Sequence, residues 1–141
     1  NIEILVNNFF KKIKHLAEID LFRIHNKNKS KKNKFNIDYE SNLILNQLSK
    51  NDINILMDEK GDVYETIEFS KFIQKNFLYS SKKIVFIIGG AYGFNKELNK
   101  TVQKKISLSK FTFTHDMARL LLIEQIYRAL TLIKNIPYHN H

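Results

Sequence analysis

The chain has 141 residues, 43% of them hydrophobic and 26% charged, a balance that suits one globular domain with a real core. With no cysteine it has no disulfide, no thiolate catalysis and no cysteine-ligated zinc, and no apolar run approaches the roughly 18–20 residues that span a bilayer. A net charge of +9 points to a polyanionic partner, most naturally nucleic acid, although the Lys, Asn, Ile and Phe supplied by AT-rich codons raise lysine on their own.

Asn1-Ile2-Glu3 lacks the basic stretch of a signal peptide, so a cytoplasmic protein is expected, and the missing initiator Met suggests a longer chain. Leu5, Phe9, Ile13 and Leu16 then recur at close to helical spacing. Ile19, Leu21 and Ile24 predict a short strand, and 26–36 reads as a mobile basic loop. A helical pattern resumes over 37–50, through Leu43 and Leu48. Ile53 to Asp58 reads as a strand that ends in a turn at Glu59-Lys60-Gly61-Asp62. Phe69, Phe72, Ile73 and Phe77 mark one face of the next helix.

The continuous apolar run Ile84 to Ile88 predicts a strand covered on both faces, and it feeds the glycine turn Gly89-Gly90-Ala91-Tyr92-Gly93. Glycine lets a backbone approach a ligand closely, and open α/β sheets bind ligands at the carboxyl ends of their strands. The spacing matches neither the dinucleotide fingerprint nor the P-loop. Asn95 is a fitting N-cap for a helix from Lys96 towards Lys105, and 108–113 alternates like a short strand. Thr114 caps the last helix, which carries Met117, Leu120, Leu121, Ile126, Tyr127, Leu130 and Ile133 and ends before Pro137. Helices alternating with buried strands predict a single α/β domain over 1–141 with a mostly parallel sheet flanked by helices.

Chemistry concentrates near the C-terminus. Glu124 and Arg128 have the spacing and order of a helical ion pair, and a carboxylate between Ile123 and Ile126 needs a partner. Tyr138-His139-Asn140-His141 offers a phenol, two imidazoles and an amide, able to stack on a base and bond its edge. No carboxylate or cysteine with ligand spacing accompanies the histidines, so no metal is expected. No nucleophile elbow and no close carboxylate pair supports a hydrolase.

The blocks 86–94 and 106–115, then Arg119, Glu124 to Ala129 and Pro137-Tyr138-His139, resemble the RlmH family, the ribosomal large-subunit pseudouridine methyltransferases of the SPOUT class. Met57 to Gly61 and Phe9 to Ile13 agree more loosely. The resemblance implies an α/β fold with a C-terminal trefoil knot, S-adenosylmethionine as cofactor, a homodimer, and methylation of N3 of a pseudouridine on the assembled ribosome.

Carried over by position, Met57, Gly89, Gly90, Leu108, Ser109, Lys110, Phe111, Thr112 and Phe113 would form the cofactor pocket. His115, Arg119 and Arg128 would face the RNA, and His139, Tyr138 or Glu124 would accept or position the N3 proton. Two features depart from the family: its members open with a short strand before the first helix, whereas this sequence starts almost at that helix, as a piece of a longer chain would, and Ala91 stands where many members carry proline. A non-enzymatic ribosome-associated RNA-binding protein, or a methyltransferase for a different RNA nucleotide, remains an alternative.

Overall fold

The computed structural model describes residues 1–24, 34–78, 80–89 and 93–140. Most of the expected basic loop, together with Gly90, Ala91, Tyr92 and His141, lies outside the described residues. The element order is α1 (Ile2–Lys14), α2 (Lys34–Leu45), β1 (Ile53–Val63), α3 (Thr66–Leu78), β2 (Ile84–Ile88), α4 (Lys96–Thr101), β3 (Lys104–Ser107) and α5 (His115–Ile133). The three strands form one sheet in the order β2-β1-β3, and both pairings are parallel.

Strand side chains alternate between faces, so neighbouring residues of β1 build two separate cores. Ile55, with Ile106, packs under Phe69 and Ile73 of α3 and Leu122 and Ala129 of α5. Leu56, with Ile87, packs against Leu98 and Val102, and α2 adds Ile44 and Leu45 to that side. A third cluster joins α1 to the far side of α5 through Val6, Ile13, Ile123 and Leu130. Helix α5 therefore lies between the sheet and α1, buried on two sides. Glu3 reinforces this contact by accepting from Arg119 at 2.7 Å and pairing with Arg23.

Several expectations change, and α2 covers Lys34–Leu45 rather than 37–50. On α1 the buried positions are Val6 and Ile13, while Leu5 is exposed. Ile19 to Ile24 forms no strand, because no described strand edge is aligned with it, and Phe22 is 77% exposed. Helix α4 stops at Thr101 rather than Lys105, and β3 occupies 104–107 instead of 108–113. The reason is pairing: β1 aligns Ile55, Leu56 and Met57 with Lys104, Lys105 and Ile106.

The strand β1 also continues past its predicted turn. Met57 and Asp62 both align with Ile106, so residues 58–61 bulge out between them. Gly61 is needed at this bulge, because a Cβ there would sit 2.6 Å from the Lys105 carbonyl carbon.

At its other end α5 closes with a Schellman motif. Asn135 is left-handed at φ 56°, its N–H donates to Leu132 O, and Ile136 N–H donates to Thr131 O at 2.9 Å. This turn aims Tyr138 and His139 back along the helix. Replacing Asn135 by Ala should cost about 1 kcal/mol, the left-handed penalty for a residue with a Cβ, whereas Asn135→Gly should be neutral. Thermal melts of the two variants distinguish them by about 3–4 °C.

Glu3 gives a pH-dependent prediction. Partial burial pushes its carboxyl up, but hydrogen bonds and charge from Arg119 and Arg23 outweigh that and hold it below its ordinary value of 4.5. Its contribution is then complete above its unfolded-state value and is lost as pH falls through the folded-state value. Glu3→Gln should melt earlier than wild type at neutral pH, and the gap should narrow as pH falls below 4.5.

Candidate active site

A cleft of about 330 Å³ opens at the carboxyl ends of β1 and β3. Met57, Ile106, Ser107 and Leu108 form its strand side, Tyr64, Thr66 and Phe69 its α3 side, and Phe113, Leu121, Leu122 and Gln125 the remainder. The walls are mainly apolar, with Thr66, Ser107 and Gln125 as polar points, the usual make-up of a small-molecule site. A wider open depression of about 480 Å³ over residues 14–20 gathers no comparable set of groups.

The structure brings Met57, Leu108 and Phe113 of the expected cofactor residues together in this wall. Ser109, Lys110, Phe111 and Thr112 do not line the cleft; they connect two residues that do, Leu108 and Phe113, as an adjoining rim. Within it Ser107 Oγ donates to Ser109 O at 2.7 Å, and Phe111 N–H donates to Ser109 Oγ at 3.0 Å. Thr112 Oγ1 donates to Glu59 Oε2 at 2.9 Å, tying the rim to the β1 bulge. Lys110 is exposed and Phe111 is 79% exposed. Gly89 leaves the sheet beside Met57, since Ile88 is aligned with that residue. A Cβ on Gly89 would lie 2.2 Å from the Phe94 ring, so the space that glycine frees is filled by Phe94.

Immediately beyond Gln125 lies a polar cluster centred on Glu124. Its Oε1 accepts from Arg128 Nε at 3.0 Å, from Arg128 Nη2, and from the Tyr138 hydroxyl at 3.1 Å. Its Oε2 accepts from Gln125 Nε2 at 2.7 Å. Arg128 also reaches His139, Nη1 to Nδ1 at 3.1 Å, and lies 4.7 Å from the Tyr138 ring centroid. Guanidinium has no acceptor, so Nδ1 of His139 accepts here, and a neutral ring carries its proton on Nε2. The Tyr138 ring packs edge-on against Tyr127 with centroids 4.8 Å apart. Burial, then the charge and hydrogen bond of Glu124, raise the Tyr138 pKa above its ordinary 10.0, and Arg128 only partly opposes them.

The other two residues expected to face RNA sit elsewhere. His115 is exposed at the first turn of α5. Arg119 is engaged with Glu3 and, at 3.5 Å, with Asp116. Tyr64, Thr66 and Gln125 were not visible as site residues in the sequence. A threonine that opens a helix resembles a cap, and a glutamine beside Glu124 resembles helix surface.

The family model described as "Predicted SPOUT methyltransferase" matches residues 1–139. The chain is similar to a protein of Parabacteroides distasonis named Ribosomal RNA large subunit methyltransferase H, 46% identical over 101 residues, which cover 72% of this chain and 64% of that protein. Proteins with the same name match from Phocaeicola vulgatus, 39% identical over 96% of this chain and 87% of theirs, and from Bdellovibrio bacteriovorus, 40% identical over 92% and 84%. The match to the Parabacteroides protein thus spans a little under two thirds of its length. A family match over nearly every residue, supported by these identities, places the protein among the SPOUT methyltransferases.

Proposed function

We propose that the protein is an S-adenosylmethionine-dependent methyltransferase that acts on N3 of a pseudouridine in large-subunit ribosomal RNA. In this reading it works on the assembled ribosome in the cytoplasm, as a homodimer whose C-terminal part forms a trefoil knot. The observation that carries it is the adjacency, across Gln125, of an apolar cleft at the strand ends and the cluster of Arg128, Tyr138 and His139. The family match and the names of the relatives supply the substrate class.

The cleft residues fit such a cofactor. Its volume of about 330 Å³ lies in the range of small-molecule sites. Met57, Leu108 and Phe113 offer apolar wall, and the Ser107 hydroxyl, which donates to Ser109 O, can still accept a hydrogen bond. Gly89, Gly90 and Ser109 to Thr112 are assigned to the same ligand. The chemistry that S-adenosylmethionine supplies when bound is a methyl group activated on a sulfonium, so the protein has mainly to align donor and acceptor. His115, Arg119 and Arg128 are assigned to the RNA.

The acceptor nitrogen must also lose its proton. Tyr138 is a poor base, because its phenol donates to Glu124 and its pKa is raised. Glu124 would have to release four donors. Imidazole is the commonest general base, and Nδ1 of His139 already serves as an acceptor, towards Arg128. We therefore assign proton acceptance to His139, and positioning to Glu124 and Tyr138.

Transfer of labelled methyl from S-adenosylmethionine to unmodified ribosomes, free subunits and naked rRNA tests the reading. Label in large-subunit rRNA that maps to a pseudouridine is the expected result. No label on any of the three, from folded wild-type protein, would favour a binding-only role. With activity established, His139→Gln should lower kcat by about 10²–10⁴, the usual contribution of a general base, with donor affinity unchanged. A kcat within about threefold of wild type would remove His139 from that role.

A further inference from the structure

Gln125 uses both ends of its carboxamide. Its Oε1 accepts from Thr66 Oγ1 at 3.1 Å, and its Nε2 donates to Glu124 Oε2 at 2.7 Å. Residues 124 and 125 are about 100° apart around a helix, so their side chains leave α5 in different directions. Gln125 lines the cleft, while Glu124 holds Arg128 and Tyr138 on the tail side. The amide bridges the two.

The two ends of a carboxamide are chemically distinct, one an acceptor and the other a donor. A hydroxyl that donates to Oε1 therefore turns Nε2 towards the carboxylate. Thr66 is the first residue of α3 and also lines the cleft. The path runs unbroken from Thr66 through Gln125 and Glu124 to Arg128 and Tyr138.

We propose that Gln125, oriented by Thr66, is a positioning residue that fixes the Glu124 carboxylate and, through it, Arg128, Tyr138 and the His139 contact. In this role Gln125 and Thr66 touch neither the transferred methyl nor the acceptor nitrogen. They hold the group that holds the tail. The proposal rests on the methyltransferase reading above, but its structural half can be read without catalysis.

The test compares Thr66→Ser, Thr66→Val, Gln125→Leu and the Thr66→Val/Gln125→Leu double variant. Thr66→Ser keeps the donor hydroxyl and should behave as wild type. Thr66→Val and Gln125→Leu should each lower kcat about tenfold, the rate equivalent of one hydrogen bond to a charged group, with the KM for S-adenosylmethionine unchanged. The double variant should lose no more than Gln125→Leu, because both changes break one chain of contacts.

A raised donor KM with kcat intact would show that the pair only lines the pocket and would overturn the proposal. So would a Thr66→Ser loss equal to that of Thr66→Val, which would indicate packing. Hydrogen exchange over residues 134–140 reads the same linkage in the absence of substrate. It should rise in Thr66→Val and Gln125→Leu and stay at the wild-type level in Thr66→Ser. Unchanged exchange in all variants overturns the bridge even if wild-type protein transfers no methyl, an outcome that would by itself count against only the enzymatic reading.

Discussion

Helix α5 is buried along two sides at once, and both the core and the site depend on that. Leu122 and Ala129 meet the sheet, while Ile123 and Leu130 meet α1. Each pair is two helical turns apart, so the apolar positions form two parallel stripes. The leucine and isoleucine side chains among them contribute about 1.5–3 kcal/mol each when buried, against a net stability of about 5–15 kcal/mol for a typical domain. The helix cannot shift without losing much of that margin. Glu124, Gln125 and Arg128 leave the same helix partly buried, so they start from a backbone already held on both sides. Catalytic geometry needs that rigidity beneath it.

The Glu124–Arg128 pair has the spacing of an ordinary helix ion pair, worth about 0.3–0.5 kcal/mol on a surface. Its side chains are only 19% and 24% exposed, and each makes further hydrogen bonds. Partly removed from water, a charge becomes costly if its partner leaves, so the pair is better understood as an orienting device than as a source of stability. The Schellman turn at Asn135 is what makes the device possible. Without a left-handed residue there, the chain would not return Tyr138 and His139 to the helix they have just left.

Much of this was legible from residue spacing. Phe69 and Ile73 set the buried face of α3, Ile84 to Ile88 form β2, and Asn95 and Thr114 are caps by residue type whose side chains accept from Leu98 N–H and Met117 N–H. β3 was misplaced because Lys104 and Lys105 look like the solvent side of a helix. In the sheet, Lys104 instead lays its ammonium over the rings of Tyr64 and Phe72, at 5.2 and 5.4 Å from their centroids. Nothing local in the sequence encodes those rings as its neighbours. The same holds for Thr66 and Gln125, 59 residues apart, whose hydrogen bond exists only once α3 and α5 have packed. Glu124 and Arg128 were found by spacing, yet their meeting with the tail depended on one backbone angle at Asn135.

The cleft combines a stiff floor with a lightly tied rim. Its floor is strand and helix, with Phe69, Ile106 and Leu122 buried beneath it. Its rim is the 108–113 loop, joined to the β1 bulge by the exposed hydrogen bond from Thr112 to Glu59. A neutral donor in water contributes about 1 kcal/mol net in such a bond, little more than thermal energy, whereas moving the floor means breaking two cores. The Gly61 contact fixes where the bulge leaves the sheet, and so confines freedom to residues beyond it. On the proposed methyltransferase reading, ligand entry and release would fall to the rim, and the alignment of reacting groups to α5. These demands conflict in a uniformly rigid protein, and here they are met by different segments of one chain.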